Sequence, residues 1–174
     1  MFLPKALLSK KIHDAVLKQV AEVGYDIDRI TDVTESGGLA LTSELELTIT
    51  TGGTAQIVKA FSSTYKTKVI VASAANGTLV TTAALSFDIA AEGTIRRSGN
   101  TDGEVRLELV SDKDGVVASQ VISRSANVVT KFAFSEDAVA LVAANTLTLK
   151  VSGDTVTGEV FKISDCAVFA ESTT

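Results

Sequence analysis

The chain has 174 residues, 45% of them hydrophobic, with 12 Gly, 1 Pro, 1 Cys, 1 His and no Trp. One Cys cannot close an internal disulfide, and one Cys with one His cannot complete a common structural zinc site, so disulfide-stapled and zinc-dependent folds are excluded. The 16 Lys and Arg against 21 Asp and Glu give a net charge of −5. This balance argues against a protein that coats nucleic acid or an anionic membrane, and we expect neither as a partner.

The beginning of the chain predicts one amphipathic helix. Between Lys5 and Val23, apolar residues recur three or four positions apart with charged residues between them. Pro4 suits the first turn, and Gly24 suits the C-terminal end. The basic residues at the start are either a solvated face or a docking face for an acidic partner. The candidate partner-binding residues on the apolar stripe are Leu8, Ile12, Val16 and Val20.

Nothing in the sequence predicts export or a membrane span. The N-terminal apolar run is short and is followed at once by Lys10 and Lys11, which does not fit a secretory signal. The other apolar runs are far below the roughly 18–20 residues that cross a bilayer. A free Cys166 suits a reducing compartment. We therefore expect the chain to fold in a cytoplasm.

The middle of the chain changes from helical to β periodicity. Residues 25–38 are polar and aperiodic, so residues 1–40 are predicted to be a helix followed by an extended anchoring arm. Residues 41–83 predict short strands at 44–50, 55–61 and 68–72, with turns at Gly52–Gly53 and Asn76–Gly77. This small β region is either a separate domain or part of a larger sandwich.

Residues 84–174 carry the clearest strand pattern. Leu85, Phe87 and Ile89 alternate with polar or small residues, and the residues from Val105 to Leu109 repeat the pattern. Further strands are predicted at 116–123, 128–134, 141–151, 160–163 and 167–170, separated by turns that include Asp112–Gly115. About seven or eight short strands at this spacing predict an antiparallel β-sandwich.

Four stretches of this region resemble the jelly-roll virion proteins of tailed bacteriophages, namely capsid decoration proteins, head fibres and tail-fibre tips, and the related trimeric tumour-necrosis-factor-like sandwich. The stretches are 85–89, 105–116, 132–152 and 160–169. The turn at Ala143–Asn145 stands where a Gly-Asp corner is usual in that family. The resemblance implies a mainly β, jelly-roll-like fold and a non-enzymatic structural protein. It further implies a homotrimer, a location on the virion after assembly in the host cytoplasm, and no cofactor.

No motif for catalysis or metal binding occurs in the sequence. The phosphate-loop, dinucleotide, nucleophile-elbow and zinc-protease patterns are all missing. His13 is next to Asp14, and neighbouring helical residues do not face each other, so we do not expect a base and its orienting group there. Asp112 and Asp114 fit turn chemistry better than a cation site. We therefore assign no catalytic, cofactor-binding or metal-binding residue.

Arg96 and Arg97 complete the candidate partner-binding residues. Followed by Ser98-Gly99-Asn100, they are predicted to form a loop that is either kept soluble by its charge or contacts an anionic group. The first hypothesis is a capsid decoration protein or head fibre, attached by its N-terminal arm to the major capsid protein or to tail or portal components. The alternative is a tail-fibre or receptor- or carbohydrate-binding tip that uses the two arginines.

Overall fold

In the computed structural model, the described residues are 36–41, 43–48, 54–65, 68–98, 103–124, 127–153 and 160–173. The predicted helix and the arm up to residue 35 lie outside them. Every element in the described part of the chain is a β-strand. No helix that could cross a membrane occurs among these residues.

Twelve strands build the described structure, and they follow one another with short connections. Their bounds are β1 (Ser36–Leu41), β2 (Leu45–Thr48), β3 (Gln56–Ile57), β4 (Ser63–Tyr65), β5 (Ile70–Ser73), β6 (Thr78–Thr81), β7 (Leu85–Ser98), β8 (Gly103–Ser111), β9 (Gly115–Arg124), β10 (Thr130–Leu141), β11 (Thr146–Gly153) and β12 (Val160–Ser172).

The strands form two antiparallel sheets of six strands each. The first sheet has the order β10-β7-β12-β1-β4, and β2 also pairs with β12. The second sheet has the order β5-β6-β11-β8-β9, and β3 also pairs with β11. From β7 onward the chain repeatedly crosses between the sheets, as it does in a jelly roll. The predicted mainly β, antiparallel sandwich is confirmed.

Alternation of apolar and polar residues places one face of each sheet in a shared core. In β11, Leu147, Leu149 and Val151 are buried, and the residues between them are only partly buried. β7 and β12 supply Phe87 and Phe161, two of the largest fully buried side chains. The core draws on both sheets, so the two layers stabilise each other by burying a common apolar volume.

β1 corrects the predicted limit of the N-terminal arm. The arm was expected to reach residue 40, but Ser36–Leu41 lies between β12 and β4 in the first sheet. Gly37 is buried there, and a Cβ at this position would lie only 2.6 Å from Cγ2 of Ile70. Gly37 therefore allows β1 to approach Ile70 of β5 closely, whereas the sequence alone predicted an extended arm here.

The region 41–83 contributes strands to both sheets. β2 and β4 pair with β12 and β1 in the first sheet, while β3 and β6 pair with β11 in the second. Val58, Ile70 and Leu79 from this region belong to the common core. The described part of the region is therefore built into the sandwich, which is one of the two arrangements that the sequence left open.

The end of the chain forms one long strand where two were predicted. The pairing of β12 with β7 shifts register between Ser164 and Ala167. Asp165 adopts a positive φ of 49° at this point, which is characteristic of a β-bulge. The bulge interrupts the alternation of side chains, so the sequence pattern divided a continuous strand into 160–163 and 167–170.

Two backbone amides of the edge strand β10 donate hydrogen bonds to side chains. β10 pairs with β7 on one side only, and Gln120 of β9 accepts a hydrogen bond from the backbone N–H of Ala133 through its Oε1 at 3.2 Å. Further along β10, the register shifts between Glu136 and Val139, and Ala138 N donates to Asp88 Oδ1 at 2.9 Å. The contact with Gln120 occupies an amide group that an edge strand otherwise leaves open, while Asp88 belongs to β7, the strand with which β10 pairs.

Candidate functional site

Arg96 and Arg97 do not form the loop that the sequence predicted. Both lie in β7, where consecutive side chains point to opposite faces of the sheet. Arg97 is only 3% exposed and points to the core side, whereas Arg96 lies on the outer face. The alternation of Phe87, Ile89 and Ile95 along the strand was the available signal for this result. The two guanidinium groups therefore do not act together on one surface.

Arg96 belongs to a cluster of ion pairs on the outer face of the first sheet. Arg96 Nη2 lies 3.5 Å from Glu44 Oε2, and Lys162 Nζ lies 3.1 Å from Glu44 Oε1 and 3.5 Å from Glu46 Oε2. A hydrogen bond from Lys162 to Glu44 is the main cause that raises the pKa of this lysine. Two carboxylates balance the two cations, so the cluster is better suited to joining strands than to binding an anion.

The other four candidate residues of the sequence prediction lie outside the described residues. These are Leu8, Ile12, Val16 and Val20. The structure therefore places only Arg96 and Arg97 of the predicted set, and it gives them different environments.

A second feature of the outer face of the first sheet was not predicted. We call it the Phe169 face and define it as Gly38, Ala40, Ala90, Ala133, Ala167 and Phe169. Each position alternates along its strand with a core residue, so the set lies on the side away from the core. Phe169 is 40% exposed. Phe169 is the one large side chain among these six residues.

Strand register brings these small residues together. Phe169 is opposite Gly38 in β1 and Ala90 in β7. Ala167 is opposite Ala40 and Glu92, which places one carboxylate among the small residues. A Cβ on Gly38 would lie 2.9 Å from the carbonyl oxygen of Val168, so even a methyl group would crowd this point. The six residues come from four separated parts of the chain, which is why no local sequence motif revealed them.

A second apolar surface lies at the neighbouring edge of the sandwich. Val121 of β9 is 46% exposed, and Val128 and Val129 in the connection from β9 to β10 are 49% and 61% exposed. We call these three residues the valine edge. Val121 precedes the buried Ile122 and therefore lies on the outer side of the second sheet, while Val128 and Val129 directly precede β10 of the first sheet.

A polar network joins the turns at one end of the sandwich. Ser111 Oγ lies 2.8 Å from both Asp114 Oδ2 and Asn145 Oδ1, and Asn145 Nδ2 donates to Asp114 Oδ2 at 2.8 Å. The hydrogen bond from Ser111, followed by that from Asn145, lowers the pKa of Asp114. Asp112 Oδ1 accepts from Thr146 N at 2.7 Å. These carboxylates hold turns together, as turn chemistry predicts.

The described residues contain no cluster of three or more His, Cys, Asp or Glu side chains that could hold a metal ion. The thiol of Cys166 is 1% exposed, and burial is the main cause that raises its pKa to about 12. A thiol with such a pKa carries almost no thiolate at neutral pH and is a poor nucleophile.

An open cleft of about 400 Å³ lies beside β2 and β3. Its described lining consists of Leu45, Leu47, Ala55, Gln56, Ile57, Lys59 and Ala60. No carboxylate occurs in that lining, so the described residues of this cleft do not supply the paired acids that a glycosidase needs.

Comparison with known proteins identifies the fold. No protein-family model matches the chain, and no curated protein matches it. The chain is similar to the structure of Eiger TNF from S. frugiperda, with 8% sequence identity, a TM-score of 0.50 and coverage of 81% of this chain and 93% of that chain. It is also similar to the globular domain of zebrafish complement 1qA protein, with 11% identity, a TM-score of 0.48 and coverage of 79% and 94%.

The similarity to Eiger TNF extends over most of both chains, but at 8% identity it shows the fold alone. It confirms the predicted jelly-roll β-sandwich. A shared fold does not indicate a virion protein, so the virion assignment remains a prediction from the sequence. The described part of the chain is a jelly-roll sandwich with the fold seen in Eiger TNF.

Proposed function

We propose that the chain is a non-enzymatic structural protein of a virion, and that it works by association. In this proposal three copies of the jelly roll form a closed trimer, and the N-terminal segment attaches the trimer to the particle as a decoration protein or head fibre. The Phe169 face is the observation that supports association between copies of the chain. The virion part is supported by the resemblance of the sequence.

The composition of the Phe169 face suits contact with protein better than contact with water. Outer faces of sandwich sheets usually carry polar side chains, which alternate with the core residues. Here Ala40, Ala90 and Ala167 surround an aromatic ring that is 40% exposed. Small side chains allow another backbone to approach closely, and a central aromatic residue is typical of the energetic centre of an interface.

The occupant we propose for this face is the valine edge of a second copy. A contact between two different surfaces of the same chain is heterologous, and it closes into a ring when each step rotates the next copy by the right angle. The Phe169 face lies on the outer side of the first sheet, and Val121 of the valine edge lies on the outer side of the second. A ring of three copies is what the resemblance of the sequence implies.

A charge at the centre of the Phe169 face tests the association. We expect the wild-type chain to be a trimer by size-exclusion chromatography with light scattering, and Phe169→Asp to be a folded monomer, because it places a charge in a desolvated contact. Val71→Asp is the matched control, since Val71 is 46% exposed on β5 of the other sheet. A wild-type monomer, or a trimeric Phe169→Asp variant, would contradict the proposal.

The alternative function is a receptor- or carbohydrate-binding tip that uses Arg96 and Arg97. One of these two residues is not exposed for such a contact. Arg97 is buried, and Arg96 already pairs with Glu44. No described observation favours a sugar site over a protein contact.

A further inference from the structure

The turn between β5 and β6 contains a pair of residues that none of the surfaces above uses. It holds Asn76 followed by Gly77, and Asn76 is exposed. The chain has 4 asparagines, at positions 76, 100, 127 and 145, and only Asn76 precedes a glycine. Glycine has no side chain to keep its backbone nitrogen away from the preceding side-chain amide. In an unfolded chain, this pair therefore loses its side-chain amide more readily than the other three asparagines.

The folded turn restrains the atom that would attack. The N–H of Gly77 donates to the carbonyl oxygen of Ser73 at 2.9 Å and also lies 3.3 Å from that of Ala74. Gly77 is buried with a φ of +66°, and a Cβ at this position would overlap the carbonyl oxygen of Val58. The backbone nitrogen is therefore hydrogen-bonded and packed, and it cannot swing toward the Asn76 side chain without breaking these contacts.

We propose that Asn76 is a deamidation site that the fold protects and that unfolding of this turn exposes. The Gly77 nitrogen forms a bond to Cγ of Asn76, the bond from Cγ to the amide nitrogen breaks, and ammonia leaves with the proton of the Gly77 N–H. Water then adds to one of the two carbonyls of the resulting succinimide and opens the ring. The products are aspartate or isoaspartate at position 76.

The isoaspartate product does not fit the folded turn. It adds one carbon atom to the backbone between positions 76 and 77. The register of Ser73 opposite Thr78 and the packing of Gly77 against Val58 leave no room for this atom. Leu79, immediately after this turn, lies in the core, so the misfit extends to buried residues. The modification therefore marks chains that have been unfolded and hinders their return to the native state.

Mass spectrometry of the full chain tests the proposal. Samples are held at the same mildly alkaline pH and temperature with and without urea, then digested and mapped. We expect the peptide with Asn76 to gain one mass unit in the unfolded sample, and to gain it about tenfold more slowly or slower still in the folded sample, since reaction there requires opening of the turn. The peptides with Asn127 and Asn145 serve as internal controls.

Refolding separates the two products. Chains modified in urea are refolded beside an Asn76→Asp variant, which carries the new charge without the extra backbone atom. We expect the variant to unfold at the same urea concentration as wild type and the isoaspartate chains to unfold at a lower one. Equal deamidation of folded and unfolded chains would overturn the proposal. So would an Asn76 that reacts no faster than Asn127 in urea, or isoaspartate chains as stable as the variant.

Discussion

Asn145 is a polar residue with no exposed surface, and its side chain joins its own turn to the end of β8 and to the turn that follows β8. Its side chain bonds to Ser111 and Asp114 at 2.8 Å, while its backbone N donates to Thr81 Oγ1 at 3.2 Å. Buried amides are costly unless they are hydrogen-bonded, and this one has partners on both its oxygen and its nitrogen. The residue therefore fixes how the turns at this end of the sandwich sit together.

Replacing this amide tests its role. Asn145→Ala removes one of the two side-chain partners of the buried Ser111 hydroxyl and a donor to Asp114, so we expect the free energy of unfolding to fall by about 2–3 kcal/mol. Urea denaturation followed by circular dichroism measures the change. Lys113→Ala is the control, because its exposed bond from Nζ to the Ala143 carbonyl is expected to contribute less than about 0.5 kcal/mol. An equal loss in both variants would contradict the role of Asn145.

The same network makes the stability of the folded chain depend on pH in the acidic range. Hydrogen bonds from Ser111 and Asn145 lower the pKa of Asp114 from its usual 3.8. The ionised form is thus favoured in the folded state, and its contribution is complete above 3.8 and is lost as the pH falls through the lower folded value. We expect the difference in melting temperature between wild type and Asp114→Ala to shrink as the pH is lowered through this range. A difference that is constant with pH would contradict the assignment.

At the scale of the element, β1 shows how a strand can depend on the absence of a side chain. Gly37 faces Ile70 of the opposite sheet so closely that a Cβ would lie 2.6 Å from Cγ2 and 2.8 Å from Cβ of Ile70. Ile70 is fully buried and cannot move without disturbing the core. The close approach of β1 to the second sheet therefore requires glycine.

We expect Gly37→Ala to destabilise the chain by about 1–3 kcal/mol through overpacking. Thermal unfolding measures the loss. In an Ile70→Ala background the same substitution should cost less, because Cγ2 is no longer present. Equal costs in the two backgrounds would show that the loss does not come from the contact with Cγ2.

Elements with regular alternation were predictable from the sequence, and those without it were not. β8 follows an uninterrupted period of two, and the positions of β8 and β9 agree closely with the prediction. β1 was missed because Gly37 and Gly38 carry no apolar signal. Residues 141–151 were predicted as one strand, but Leu141 ends β10 and the chain turns at Ala144, where φ is +58°, before β11.

The candidate site was harder to predict than the fold. The burial of Arg97 could be predicted, because the alternation of buried residues in β7 reaches Arg97 one step after Ile95. The Phe169 face could not be predicted, because the order of strands in the first sheet decides which small residues lie next to one another. Strand order depends on contacts between distant parts of the chain, which local periodicity does not record.

At the scale of the whole molecule, the described residues form a hydrophobic core among themselves. Residues of both sheets, from Leu39 to Ala170, share one cluster of buried side chains. The unit Thr34–Thr174 is compact by itself. Association through the Phe169 face and attachment through the N-terminal segment are therefore separable in the proposed function.

Deletion of residues 1–24 tests this separation. We expect the shortened chain to keep the unfolding transition and the trimeric mass of the full chain, because the core and both proposed contact surfaces remain. Under the proposed function, it should no longer sediment with particles. A shortened chain that still binds particles would place attachment elsewhere, and a shortened chain that becomes monomeric would place association there.

The Gln120 contact and the bulge in the edge strand β10 affect how copies of this molecule can add to one another. An edge strand with open amides can recruit the same strand of the next copy without limit, which leads to fibrils. Gln120 occupies the amide of Ala133, and the irregular stretch around Ala138 breaks the straight run of the strand. Both features disfavour growth by strand addition at this edge, whereas assembly through side-chain surfaces can end at a fixed number of copies.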